Sequence, residues 1–106
     1  MKQQIKEIQE FEDLLKNEGS FYFLKHSLTC PISKEAFQQF SRFTEDENVN
    51  AYFLHVQESR ELSAYIAEKL ETQHESPQAF LIKNGTVLWN ASHWNITKDS
   101  LSKAGK

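Results

Sequence analysis

Two short apolar runs, separated by a segment with helical spacing, constrain the fold of this 106-residue chain more than any other feature. Residues 21–25 (FYFLK) and 51–56 (AYFLHV) are each typical of a strand in the middle of a sheet, because they are continuous runs rich in aromatic and aliphatic side chains. Between them, Ala36, Phe37, Phe40 and Phe43 recur at steps of three and four, which predicts a helix over 31–44. A strand, a helix and a strand in this order predict a βαβ unit with parallel strands.

The remaining apolar positions predict two more helices, and they do not decide whether a further strand precedes the first of them. Residues 9–18, which end before Gly19, form one apolar stripe at helical spacing, and residues 62–70 form another. Ile5 and Ile8, ahead of the first helix, are compatible with a brief edge strand, but so short a segment leaves the choice open.

The last third of the chain predicts a hairpin and a closing helix. Asn84-Gly85 separates the apolar runs 79–82 and 87–91, and this dipeptide favours a type I′ turn because both residues tolerate positive φ. Thr97 followed by Leu101 predicts a capped, anchored final helix. The chain is therefore expected to be one α/β domain, 1–106, with a mixed central sheet of four to five strands flanked by helices.

Composition excludes several classes of function. The net charge is −3 and the charges are scattered, so no basic stripe indicates nucleic-acid binding. No stretch approaches the roughly 18 apolar residues of a membrane span, and the N-terminus lacks an apolar signal region, so we expect a cytoplasmic protein. The four histidines, at 26, 55, 74 and 93, match no ligand spacing, so no metal site is expected.

The only cysteine, Cys30, lies where the first strand pattern changes to the helix pattern, in the stretch TCPIS. Only a thiolate attacks a disulfide, and the free N–H groups and dipole of a helix N-terminus favour an anion. Pro31 suits a first helical turn, Ser33 is a candidate donor to the sulfur, and Lys34 would add positive charge. A small buried hydrophobe is the competing interpretation of Cys30, and simple helix propensity that of Ser33.

The order of elements, together with Cys30 and the Ser76-Pro77 pair ahead of the hairpin, resembles the thioredoxin fold. In that fold the reactive cysteine stands at the strand-to-helix boundary, and a cis-proline at the start of the hairpin lies against the sulfur. The resemblance implies that Cys30 is the nucleophile and that Thr29, Pro31, Ser33, Ser76 and Pro77 receive the substrate. An ordinary trans turn is the other interpretation of Pro77. His26 is the only histidine that we place near the thiol, and a partly satisfied histidine of the strand is its favoured interpretation.

Two departures from the dithiol members of that fold indicate a one-cysteine mechanism. Leu24 stands where the buried acid of thioredoxins lies in the strand, and Ser33 stands where their second cysteine would be. Cys30 can therefore capture a small thiol but needs a separate thiol to release it. Monothiol glutaredoxins work in this style, but their Cys-Gly-Phe-Ser site is not matched by Pro31 and Ile32.

The stretch TCPIS, with His-Glu-Ser-Pro at 74–77, resembles the monothiol bacilliredoxin family. That resemblance implies a cytosolic oxidoreductase that removes bacillithiol from S-bacillithiolated client proteins through a Cys30 mixed disulfide. It implies no bound cofactor, bacillithiol as thiol co-substrate, and regeneration by bacillithiol or a partner reductase. Lys25 or Lys34 is a candidate to pair with the malate carboxylates of bacillithiol. The alternative function is a non-catalytic binding module of the same fold with an oxidisable cysteine.

Overall fold

One mixed five-stranded sheet forms the centre of the molecule in the computed structural model, which describes residues 2–106. Its strands are β1 (Lys2–Gln4), β2 (Ser20–His26), β3 (Ala51–His55), β4 (Gln78–Lys83) and β5 (Thr86–Ser92), in the spatial order β1-β3-β2-β4-β5. β3 pairs in parallel with both β1 and β2, whereas β4 is antiparallel to β2 and β5. The predicted mixed sheet is thus confirmed with five strands.

Four α-helices cover the two faces of the sheet. They are α1 (Ile8–Asn17), α2 (Pro31–Glu47), α3 (Arg60–Lys69) and α4 (Lys98–Ala104). α1 and α3 pack on one face and α2 and α4 on the other, so each face has its own apolar core. No helix within residues 2–106 combines the length and the apolar character needed to cross a membrane.

β2 is the third of the five strands in the sheet, and all of its residues except the first are buried. Its side chains alternate between the two cores: Phe21 and Phe23 pack with Phe11 of α1, while Tyr22 contacts Phe43 of α2. These aromatic pairs meet edge to face, an arrangement that adds to the free energy gained from burial alone. The continuous apolar run in the sequence therefore corresponds to a strand with two buried faces, as predicted.

The hairpin turn is also as predicted. Asn84 and Gly85 both have positive φ, 51° and 77°, and together they join β4 to β5. A type I′ turn requires this combination, and its twist matches that of the flanking strands. Thr97 caps α4 by accepting a hydrogen bond from the N–H of Ser100, which confirms the predicted last helix.

The edge strand and the end of α2 differ from the prediction. The edge strand is Lys2–Gln4, so Ile5 follows it and Ile8 already belongs to α1. The strand forms because its backbone pairs with β3, and the N–H of Ile5 continues that pairing to the carbonyl of Phe53. α2 extends three residues beyond the predicted end at position 44, to Glu47, where Asn48 stops it in the left-handed conformation with φ 51°.

Candidate active site

Four chain segments meet at one edge of the sheet. β2 and β3 are parallel and both end there, at His26 and His55, which are register partners. β4 runs the opposite way and begins at the same edge, and Gln78 pairs with both Lys25 of β2 and Ser92, the last residue of β5. The segments that follow β2, β3 and β5, and the segment that precedes β4, are therefore neighbours.

Cys30 lies at this edge, at the start of α2. It is the N-cap residue, with extended backbone angles, and Pro31 is the first residue of the helix. The Cys30 carbonyl accepts the first hydrogen bond of α2, from the N–H of Lys34, at 3.1 Å. Within residues 2–106, no hydrogen bond uses the N–H groups of Ile32 and Ser33. The partly exposed thiol thus stands at a helix N-terminus whose first N–H groups are free donors.

Ser33 has other partners than the thiol to which we expected it to donate. It is fully buried, and its Oγ accepts the N–H of Ser27 at 2.7 Å and lies 3.0 Å from Nδ1 of His26. The described residues contain no hydrogen bond between this hydroxyl and Cys30. The side chain therefore ties the first turn of α2 to the end of β2, and it fixes the loop that carries the cysteine.

His26 is buried beneath that loop and is uncharged at neutral pH. Burial, assisted by the neighbouring His55, lowers its pKa to about 4. The ring packs against Phe37 and His55, with centroids 4.6 Å and 5.1 Å away. His26 thus supports the cysteine loop through Ser33 as a neutral residue of the core.

Gln57, in the turn after β3, holds the same loop from the opposite side. Its Oε1 accepts the N–H of Leu28 at 3.0 Å, and its Nε2 donates to the hydroxyls of Ser27 at 2.8 Å and Thr29 at 3.3 Å. Three consecutive residues before Cys30 are therefore fixed by one amide, and Thr29, although exposed, is one of them. Sequence reasoning missed Gln57, because a single glutamine after a strand has no pattern that distinguishes it.

Pro77 lies at the same edge, at the start of β4. The Ser76-Pro77 peptide bond is cis, as the resemblance to thioredoxins implied, and Pro77 is buried. Its carbonyl accepts the N–H of His93 at 3.1 Å, which joins this segment to the 3₁₀ helix His93–Asn95 after β5. The Oγ of Ser76 is buried and has no hydrogen-bond partner in the part of the chain that the structure describes.

Lys25 and Lys34, the two candidates to pair with the carboxylates of a ligand, differ in their exposure. Lys34 is exposed in the first turn of α2. Lys25 is fully buried, and its Nζ donates to the carbonyl of Ser63 at 3.0 Å and to Nδ1 of His74 at 3.1 Å. The expectation that Lys25 pairs with a bound carboxylate is therefore wrong, because β2 is central and both of its faces are covered by helices.

Comparisons with known proteins agree with this geometry. The model of the family described as "Monothiol bacilliredoxin BrxC" matches residues 3–101. A solved structure described as an oxidoreductase with a thioredoxin fold is 41% identical to this chain, covers 99% of it and 94% of its own length, and superposes with a TM-score of 0.95.

More distant structures share the fold alone. Reduced thioredoxin pre-protein from Schistosoma mansoni is 16% identical over 96% of this chain and 92% of its own, with a TM-score of 0.76. A mutant thioredoxin from Halobacterium salinarum is 12% identical over 96% of this chain and 85% of its own, with a TM-score of 0.77. The fold is therefore that of thioredoxin, and the family match and the neighbour at 41% identity support a general thiol oxidoreductase role. The chain belongs to the monothiol bacilliredoxin family.

Proposed function

We propose that this protein is a monothiol thiol-disulfide oxidoreductase that removes bacillithiol from S-bacillithiolated proteins. The observation that carries the proposal is the placement of Cys30, the only cysteine, partly exposed at the N-cap of α2, with a buried serine three residues later. A second cysteine at position 33 would release a bound client by internal disulfide formation. Ser33 cannot do this, so the exchange ends with the small thiol on Cys30.

The first step transfers bacillithiol from the client to the protein. The Cys30 thiolate attacks the bacillithiol sulfur of the mixed disulfide, a new sulfur–sulfur bond forms, and the client cysteine leaves as its thiolate. Thr29, Pro31, Ser76 and Pro77 line the proposed receiving surface at the edge of the sheet. The client is reduced and Cys30 is oxidised to a mixed disulfide, so electrons balance without a bound cofactor.

The second step returns Cys30 to its reduced form. A thiolate from free bacillithiol attacks the sulfur of the Cys30-bound bacillithiol, which releases bacillithiol disulfide and the Cys30 thiolate. A dithiol reductase can take the same place, since it would also supply the attacking thiolate. The proposed partners are therefore S-bacillithiolated clients and either bacillithiol or such a reductase, in the cytoplasm.

A non-catalytic docking module is the second candidate, and one observation favours it. Leu28 and Trp94 are 50% and 67% exposed, and both belong to segments at the edge that carries Cys30. Large exposed apolar side chains commonly contribute to protein interfaces. A docking module would bind clients without taking up their bacillithiol.

The proposed transfer predicts a rate that depends on the fold around Cys30. The second-order rate constant for bacillithiol removal from a modified client is expected to exceed that of a synthetic peptide of residues 27–35 by at least about tenfold, because only the folded chain offers the helix N-terminus and the receiving surface. Stopped samples analysed by mass spectrometry give both rates. Equal rates for the folded protein and the peptide would exclude the enzymatic role and leave the docking module.

A further inference from the structure

Lys25 is a buried cation without an acidic partner. Its exposed fraction is 0%, and the ion pairs formed within residues 2–106 do not include it. Its two hydrogen bonds go to the Ser63 carbonyl of α3 and to Nδ1 of His74, and burial lowers its pKa to about 8. An apolar side chain of the same length would occupy this position without the desolvation penalty of an ammonium group. Packing therefore gives no reason for a lysine here.

Gln78 lies next to Lys25 on the neighbouring strand and holds the chain segment that contains His74. The two residues are register partners in β2 and β4, and Gln78 is also buried, with 2% exposure. Its Nε2 donates to the carbonyl of Gln73 at 3.1 Å, and its Oε1 accepts the N–H of Glu75 at 3.2 Å. Lys25 and Gln78 together contact three successive residues, 73, 74 and 75.

Those three residues lead directly into the Ser76-Pro77 pair. His74 is an exposed residue, and its Nδ1 is nevertheless within hydrogen-bond distance of the buried Lys25. The hydroxyl of Ser63 lies 3.3 Å from the same Nδ1, which links this contact to α3. The segment before Pro77 is thereby held by contacts to two elements, β2 and α3.

We infer that Lys25 is a positioning residue which, through His74, sets the place of residues 73–77 as the surface that receives the substrate disulfide. Lys25 does not touch substrate, because no part of it reaches the molecular surface. The inference rests on the proposed function in one respect, namely that residues 76 and 77 receive the disulfide. Its structural part, the hold on His74, is independent of any substrate.

The functional test is Lys25→Met, which keeps an unbranched side chain, one atom shorter, and removes its donors. With a synthetic peptide carrying a bacillithiol mixed disulfide, KM is expected to rise about tenfold, the equivalent of one charge-assisted hydrogen bond, while kcat stays within a factor of about two. The rate of Cys30 alkylation by iodoacetamide should not change, because this small probe does not need the receiving surface. Lys83→Met is the matched control, since Lys83 is an exposed lysine at the far end of β4, and its KM should equal that of the wild type.

A second variant and a substrate-free readout complete the test. His74→Ala removes an exposed ring and should fold normally, and its KM should rise like that of Lys25→Met. Without any substrate, the amide hydrogen of Glu75, which is bonded to Oε1 of Gln78, should exchange at least about tenfold faster in both variants. If the wild type transfers no bacillithiol, the proposed function fails and the exchange rates alone decide the inference. Unchanged exchange at residue 75, an unchanged KM, or alkylation that slows with the transfer would each overturn it.

Discussion

Replacing Cys30 by serine is expected to reduce bacillithiol removal to the rate at which the client loses its adduct without any protein. A serine hydroxyl is not ionised at neutral pH and forms no disulfide, whereas the thiolate is both the attacking and the accepting group. No other sulfur nucleophile can replace it, because the chain has one cysteine. The expected effect is a complete loss of transfer, read from the mass of the client over time.

The same substitution separates loss of chemistry from loss of structure. Cys30 is partly exposed and its thiol makes no cap hydrogen bond, so Cys30→Ser should change the free energy of unfolding by no more than about 0.5 kcal/mol. Urea unfolding of both proteins provides this control. A folded Cys30→Ser protein that still removes bacillithiol at a substantial fraction of the wild-type rate would contradict the role given to Cys30.

The second large effect is a pH-dependent change in stability from Lys25→Met. The pKa of Lys25 falls from 10.5 to about 8 on folding, so at pH 7 the charged, buried side chain costs about 3 kcal/mol relative to its state in the unfolded chain. Methionine avoids this cost but loses the two hydrogen bonds of Nζ, worth about 1 kcal/mol each. At pH 7 we therefore expect the variant to be more stable than the wild type by about 1 kcal/mol.

The sign of this difference reverses as the pH rises. Between pH 8 and pH 10.5 the unfolded wild-type chain keeps the Lys25 proton while the folded chain has lost it, so the unfolded state binds more protons. The stability of the wild type then increases with pH relative to the variant, by about 3 kcal/mol over the whole window. Urea unfolding of both proteins from pH 7 to pH 10 measures the difference, in which all other titrating groups cancel. A difference that stays constant with pH would show that Lys25 is not desolvated.

Elements whose signals are local could be predicted from the sequence. The apolar runs of β2 and β3, the spacing within α2 and the Asn84-Gly85 turn each determine their structure within a few residues, so the structure reproduces them. β1 could not be predicted in this way, because Lys2–Gln4 contains no apolar residue and becomes a strand only by pairing with β3.

Some residues of the candidate site could likewise be predicted from the sequence, whereas others could not. Cys30 at a helix start and Pro77 ahead of a hairpin follow from element order, and both lie where that order puts them. The contacts of Lys25 could not be predicted, since Ser63 and His74 are 38 and 49 residues away in the chain. A lysine near the end of a strand is usually solvated, and only the coverage of β2 by helices on both sides buries this one. Gln57 is a similar case, being 28 to 30 residues from the loop that it holds.

The most direct test of the proposed function follows the mass of both chains in a single turnover. Reduced protein is mixed with a smaller amount of S-bacillithiolated client, the reaction is stopped with acid at intervals, and intact masses are measured. The client should lose one bacillithiol at the same rate as this chain gains one, and peptide mapping should locate the gain on Cys30. A client that keeps its bacillithiol, or one that loses it while the mass of this chain never increases, would contradict a mixed disulfide at Cys30.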